Sequence, residues 1–151
     1  ICSMKRDKKY IEKLNELLSS YQVHYQNLRS LHWNIKGQSF FELHLKYEEL
    51  YNRAQVIVDE LAERILSIGA SPMSQLKGYL KTSPINEIEV TKNGHDGVNY
   101  ILTAQEDILK LEKILLNQSE ELSDEGTNAL MSDLIREKEK TNWMLKSWLD
   151  K

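Results

Sequence analysis

One cysteine, Cys2, among 151 residues excludes an internal disulfide framework and fits a reducing compartment. Two prolines and six glycines leave few points at which a helix must stop. The apolar runs fall far short of the roughly 20 residues of a transmembrane helix, so no membrane span is expected. The first ten residues, ICSMKRDKKY, carry charge with no apolar stretch after them, so no secretory signal is expected, and Met4 reads as a candidate initiator. The expected location is the cytoplasm. A formal net charge of −3 gives no overall attraction to nucleic acid, so DNA binding would need a local basic patch. No period-2 strand pattern longer than Glu87 to Thr91 is present, and no internal repeat.

What the chain does have is an ordinary globular balance, 40% hydrophobic and 28% charged, at the length of one domain. Apolar residues recur at helical spacing from about Lys8 to Asn34, through Ile11, Leu14, Leu18, Tyr21, Tyr25, Leu28, His32 and Ile35. His32 thus falls on a buried stripe. Gly37 ends this helix and Ser39 can cap the next, which should run from about Phe40 to Ile68 and stop near Gly69 and Pro72. Residues 70–96 are the least regular. Within them Ser83-Pro84-Ile85-Asn86-Glu87 predicts the start of a short helix, with serine as cap and proline in the first turn. A third helix is expected from about Gly97 to Gln118, with Ile101, Ala104, Ile108, Leu111 and Leu115 inward. A fourth is expected from about Asp124 to Leu149, with Leu130, Leu134, Thr141, Leu145 and Trp148 inward. The expected fold is all-α: a short basic tail over residues 1–8, then one domain over residues 9–151. Four long helices in two hairpins joined by a long connection describe a bundle with one crossover, of which the ferritin-like arrangement is one form.

The second helix carries an unusual set of polar residues. With His44 at zero on a helical wheel, Glu48 falls near 40°, Asp59 near 60° and Glu63 near 100°. The core residues Leu50, Ala54, Ile57, Leu61 and Ile65 fall between about 220° and 300°, and Lys46, Glu49, Arg53, Glu60 and Arg64 make a solvated face between about 140° and 200°. The four candidate ligands occupy their own arc, shared with Ala62 and Leu66. Glu48 and Asp59 are nevertheless about 16 Å apart along the axis. One ion with bonds near 2 Å cannot take ligands from both ends of one straight helix. Two antiparallel copies crossing near Arg53-Ala54 would bring the His44/Glu48 end of one chain to the Asp59/Glu63 end of the other, giving two equivalent sites about a two-fold axis. His32, just before the intervening turn, can join the first half. Two imidazoles and three carboxylates suit iron or another first-row divalent metal.

The series His32-Trp33-Asn34-x-x-Gly37, Phe41-x-x-His44-x-x-x-Glu48 and Asp59-x-x-Ala62-Glu63-Arg64 resembles the signature of the Dps family, the mini-ferritins. The likeness extends to the long middle connection and to Trp143-Met144-Leu145, and so covers essentially the whole chain. It implies a ferritin-like four-helix bundle with a short extra helix in the connection between the second and third helices. It also implies a hollow dodecamer with di-iron ferroxidase sites at two-fold dimer interfaces, His32, His44 and Glu48 coming from one subunit and Asp59 and Glu63 from its mate. Many family members have aspartate where this chain has Glu48; the longer arm keeps the oxygen ligand. By the same resemblance Trp33 is an electron donor near the metals, although packing in the core or an interface explains it equally well. An acidic three-fold pore in family members lies near Glu120, Glu121, Asp124, Glu125 and Asp133, and Asp124 and Glu125 are the candidates to line it. The ordinary alternative is charge favourable to a helix N-terminus.

Other polar residues read as structural. His24 and His95 fit no ligand spacing, and Tyr10, Tyr21, Tyr25 and Tyr47 are expected to pack. The expected function is oxidation of Fe²⁺, preferably by hydrogen peroxide, and storage of the Fe³⁺ mineral, protecting against oxidative damage. The rival reading is a nucleoid-associated protein that coats DNA through the tail Lys5-Arg6-Asp7-Lys8-Lys9. That tail is short and belongs to an acidic chain, so DNA is the less favoured partner. A third reading is a bundle whose polar arc only fixes dimer register.

Overall fold

The computed structural model describes residues 7–150. They form five helices: α1 (Lys8–Asn34), α2 (Phe40–Ser67), α3 (Leu76–Thr82), α4 (Gly94–Glu121) and α5 (Glu125–Trp148). No strand occurs among the described residues, Glu87 to Thr91 included. The proposed basic tail lies largely outside them. Its last residue, Lys8, is already helical, and Asp7 caps α1 by accepting from the Tyr10 N–H at 2.9 Å.

Helices α1 and α2 form one hairpin and α4 and α5 another; α1 also packs on α4 and on the short α3. The connection after α2 can be followed by its bonds to α1. Asn15, near the start of α1, donates to the Ser71 carbonyl and accepts from the Met73 N–H at 2.7 Å. Asn27 donates to the Asn86 carbonyl at 2.9 Å and accepts from the Ile88 N–H at 3.2 Å. Lys36 N–H, in the α1–α2 turn, donates to the Lys92 carbonyl at 3.0 Å. The chain therefore travels back along the bundle, and α4 starts at the end where α2 started. Antiparallel hairpins with one long crossover are the bundle the periodicities describe, in the form the family resemblance implies.

Local chemistry explains where the elements stop. Gly69 takes φ 86°, and its N–H and that of Ala70 return to the carbonyls of Leu66 and Ile65. This left-handed C-terminal turn is one a glycine adopts without cost. Ser39 holds the N-cap position of α2 but its hydroxyl makes no capping bond, contrary to expectation. The short helix is also displaced. It ends at Thr82, ahead of Ser83, whose hydroxyl accepts from the Ile85 N–H at 3.0 Å within its own turn. Pro84 keeps the residue before it out of the α region, and Asn27 holds the next residues extended. Helix α4 starts three residues earlier than the glycines suggest, capped by Asn93. Gly94 and Gly97 are helical here because α2 lies close: a Cβ would stand 2.8 Å from Leu43 Cδ1 or 2.5 Å from the Tyr47 hydroxyl.

The core is drawn from every long helix, with Leu14, Leu17, Ile65, Ile101, Ile108, Leu115 and Leu134 inaccessible to solvent. Each buried leucine or isoleucine contributes about 1.5–3 kcal/mol of transfer free energy. In α5 the inward stripe is Met131, Leu134, Lys138, Asn142 and Leu145, rather than one through Leu130 and Thr141, which are only half-buried.

Polar residues inside the bundle are tied together. Tyr21 donates to Glu112 Oε2 at 3.0 Å, and Lys138 Nζ lies 3.7 Å from Glu112 Oε1 and 5.0 Å from the centre of the Tyr21 ring. The Tyr100 hydroxyl accepts from Asn27 Nδ2 at 2.7 Å, so its own proton points to His24 Nδ1 at 3.0 Å. The buried His24 ring is thus an acceptor at Nδ1, and burial together with the Lys138 charge lowers its pKa to about 3 from the ordinary 6.5. An unfolded chain would take up a proton that this ring refuses. The resulting stability is complete above pH 6.5 and is lost as pH falls toward 3. Thermal unfolding followed from pH 7 to pH 4 should show this decline, and His24→Asn, which keeps a carbonyl acceptor, should flatten it. An unchanged slope would remove His24 as its source.

Candidate metal centre

His32, in the last turn of α1, and His44, in the second turn of α2, stack across the hairpin with ring centroids 3.7 Å apart and planes 15° from parallel. Each ring bonds the other residue's backbone. His32 Nδ1 lies 2.7 Å from the His44 carbonyl oxygen, and His44 Nδ1 lies 2.8 Å from the His32 carbonyl oxygen. A carbonyl can only accept, so both Nδ1 atoms carry hydrogen and both Nε2 atoms keep a lone pair in the neutral ring. This is the outer bond that orients a metal-binding imidazole and fixes its tautomer. The pair is walled by Phe40, stacked on His44 at 4.9 Å, and by Tyr51, edge-on to His32 at 5.2 Å.

Glu48 follows one turn after His44 on the same face and is half-buried; Asp59 and Glu63 lie far along α2 and are exposed. Among the described residues no three histidine, cysteine, aspartate or glutamate side chains of one chain gather closely enough to hold a metal ion. The structure thus brings His32 and His44 together and leaves Asp59 and Glu63 apart from them. The face that carries the candidate ligands is also unusually apolar. Phe41 (84% exposed), Leu45 (57%), Val56 (50%) and Leu66 (58%) fall on the same arc. Exposed apolar side chains concentrated around polar ones mark a surface built for contact.

The other candidates separate cleanly. Trp33 is 57% exposed, and the Arg29 guanidinium lies over its ring at 4.8 Å. His24 is structural, and His95 is exposed against Trp148, with ring centroids 5.3 Å apart. Asp124 does not fit the expected role of a pore carboxylate. It is buried and caps α5, accepting from Thr127 N–H at 3.2 Å and Tyr10 Oη at 2.7 Å, and it pairs with Arg64 Nη2 at 2.6 Å. Burial alone would raise its pKa, but hydrogen bonds from Thr127, Tyr10 and Arg64 outweigh burial and lower it. Of the two pore candidates only Glu125 is exposed. The Arg64–Asp124 pair also fixes the last turns of α2 against α5, and Gly126 makes room for the guanidinium, which a Cβ there would strike.

Known proteins place the arrangement in context. The ferritin-like domain family matches residues 11–151. A Dps protein from Vibrio cholerae, described as a member of a broad superfamily of ferritin-like diiron-carboxylate proteins, superposes with a TM-score of 0.92 at 46% identity, covering 94% of this chain and 89% of that one. Dps from Staphylococcus aureus superposes with a TM-score of 0.91 at 32% identity, covering 96% and 97%. In sequence, DNA protection during starvation protein 2 of Bacillus anthracis is 36% identical over 95% of this chain and 99% of its own length. Bundle and crossover are those of a ferritin-like protein. Within that class the chain belongs to the Dps family. No helix among the described residues is long and apolar enough to cross a membrane.

Proposed function

We propose that the protein is a mini-ferritin whose metal site is shared between two copies of the chain. His32, His44 and Glu48 of one copy and Asp59 and Glu63 of the other would take up Fe²⁺ as substrate, at a di-iron site. The observation that carries this reading is the reciprocal bonding of His32 and His44, which ties both Nδ1 atoms to backbone carbonyls and leaves Nε2 as the ring nitrogen available to a metal. Core packing alone does not require that arrangement. The exposed apolar arc around the carboxylates supports an antiparallel contact that brings the two halves together. A nitrogen and carboxylate donor set fits iron, in keeping with the diiron-carboxylate superfamily of the Vibrio cholerae relative.

The chain's own chemistry in this reaction is limited and specific. The two carbonyl-anchored rings would offer the metal their Nε2 atoms, with ring orientation held by the Nδ1 bonds. The carboxylates stabilise Fe³⁺ more than Fe²⁺, because attraction grows with the charge of the ion, and so favour oxidation. Holding two ions near one hydrogen peroxide lets both electrons reach it together, giving water rather than hydroxyl radical. The ferric product would be stored in the cavity of a dodecamer in the cytoplasm, with Glu125 at the entry route. DNA coating is the weaker reading, since its basic tail is short and the chain as a whole is acidic.

Anaerobic loading with Fe²⁺ followed by hydrogen peroxide tests the proposal. Oxidation far faster than in protein-free buffer, at about one peroxide per two irons, is the expected result. A rate equal to buffer would end the ferroxidase reading, and a salt-sensitive gel shift with DNA would then favour the alternative.

A further inference from the structure

Asn93 and Gly94 stand side by side for two separate structural reasons. Asn93 is the N-cap of α4, its Oδ1 accepting from the Asp96 N–H at 3.1 Å. Gly94 is glycine because a Cβ there would stand 2.8 Å from Leu43 Cδ1 and 3.3 Å from the Trp148 ring. The outcome is an Asn-Gly step, and no other asparagine of the chain is followed by glycine. With no side chain to hinder it, a glycine nitrogen is the backbone nitrogen that most readily attacks the side-chain amide of a preceding asparagine.

The surroundings leave that nitrogen uncommitted. Gly94 is the first residue of α4, so its N–H has no intrahelical acceptor, and it makes no hydrogen bond among the described residues. The nearby Asp96-Gly97 step, open to the same ring closure, is held: the Gly97 N–H donates to the Asn93 carbonyl at 3.1 Å, and Gly97 is buried. Asn15 and Asn27 commit their side-chain amides to carbonyls of the crossover. Asn93 is exposed at the end of the bundle, off the α2 arc of candidate ligands, beside an open cavity of about 360 Å³ bounded in part by Lys36, Ser39, His95 and Trp148.

We propose that Asn93 is a site of spontaneous deamidation in the folded protein. When the cap bond opens and the first turn of α4 frays, the Gly94 nitrogen attacks Asn93 Cγ. The Gly94 N–H proton and the side-chain amino group leave together as ammonia, and a succinimide ring is left between the two residues. Water then adds to one of its two carbonyls and breaks that carbon–nitrogen bond. Opening at the side-chain carbonyl gives aspartate, which keeps the cap and adds a negative charge where a helix N-terminus favours it. Opening at the main-chain carbonyl gives isoaspartate, which lengthens the backbone by a methylene group. Gly94 is wedged against Leu43, so the extra length is taken up at Lys92, whose carbonyl holds the Lys36 N–H at 3.0 Å. That bond ties the crossover to the turn between α1 and α2. The chemistry needs only water and does not depend on the metal site.

The assembled protein, free of metal, is incubated in warm, mildly alkaline buffer and sampled over days. Peptide mapping by mass spectrometry reads amide against acid at every asparagine, and electron-transfer fragmentation separates aspartate from isoaspartate. The expected result is conversion at Asn93 several-fold faster than at any other asparagine, with both acids present and ammonia released in step. Hydrogen exchange at the Lys36 amide should quicken as isoaspartate accumulates. Asn93→Ser keeps a capping oxygen and has no amide to lose; it should release ammonia several-fold more slowly and hold the Lys36 exchange rate constant. Conversion at Asn93 no faster than at the other asparagines would overturn the assignment. Conversion there with Lys36 exchange unchanged would overturn the coupling to the α1–α2 turn.

Discussion

Lys138→Met lowers the stability of the protein by about 3–5 kcal/mol, the usual cost of removing one partner of a buried ion pair. Lys138 and Glu112 are 6% and 0% exposed, and the carboxylate has only the Tyr21 hydroxyl as a hydrogen-bond donor once the ammonium is gone. Burial pushes the Glu112 pKa up and that of Lys138 down, and their mutual attraction opposes both shifts. Without Lys138 the Glu112 pKa rises further above its unfolded value. The deficit is therefore smallest at low pH, where the carboxyl is neutral in both states, and grows as pH rises through the folded value. For a domain of this size the loss corresponds to a fall in melting temperature of roughly 10 °C. The double variant Glu112→Gln with Lys138→Met leaves no buried charge and should recover much of it. A single variant within about 1 kcal/mol of wild type would show that the pair is not the dominant polar interaction of the bundle interior.

Asp59→Ala abolishes fast iron oxidation while leaving the fold of the single chain intact. Asp59 is exposed, accepts no hydrogen bond among the described residues and supports no part of the core, so its removal costs the bundle little. In the proposed shared site it would be one of two carboxylates contributed by the second copy, and its loss would remove a negative oxygen ligand. Oxidation at the buffer rate, with unchanged helix content and shell size, is the expected outcome. His44→Ala should fail in the same way from the opposite half, and it additionally strips the Phe40 and His32 rings of their stacking partner. Full activity in Asp59→Ala would remove the second half of the site.

Much of this was legible in the sequence because the long helices declare themselves by spacing. The first two helices and most of their buried positions follow from apolar period alone, with Ile11, Tyr25 and Leu50 only half-buried, and so does the separation of Glu48 from Asp59 on which the proposal of a second chain rests. Where the reading failed, a tertiary contact overrode a local signal. The third long helix is expected from Gly97 and starts at Gly94, and both positions are glycine because Leu43 and Tyr47 occupy the space a Cβ would need. Ser83-Pro84 looks like a helix start, but Asn27 holds the segment extended, and the helix comes earlier, where Leu76, Tyr79 and Leu80 already had the spacing of an amphipathic turn. Asp124 was correctly placed at the start of the last helix, yet its burial depends on Tyr10 and Arg64, more than fifty positions away in the chain. Lys138 escaped notice because a lysine on a stripe with Met131, Leu134 and Leu145 reads as a surface residue until its partner is known. Tyr51 was missed for a related reason: its contact with His32 crosses the hairpin.

The central claim is that each metal site takes its ligands from two chains, and subunit mixing tests it most directly. His44→Ala and Asp59→Ala, each inactive alone, are dissociated, mixed in equal amounts and reassembled. In a mixed dimer one interface site unites the intact histidine half of Asp59→Ala with the intact carboxylate half of His44→Ala, and the other site carries both defects. Random pairing should therefore restore about a quarter of the wild-type sites, read as peroxide-driven iron oxidation. No recovery in reassembled shells of normal size would contradict a site shared between chains.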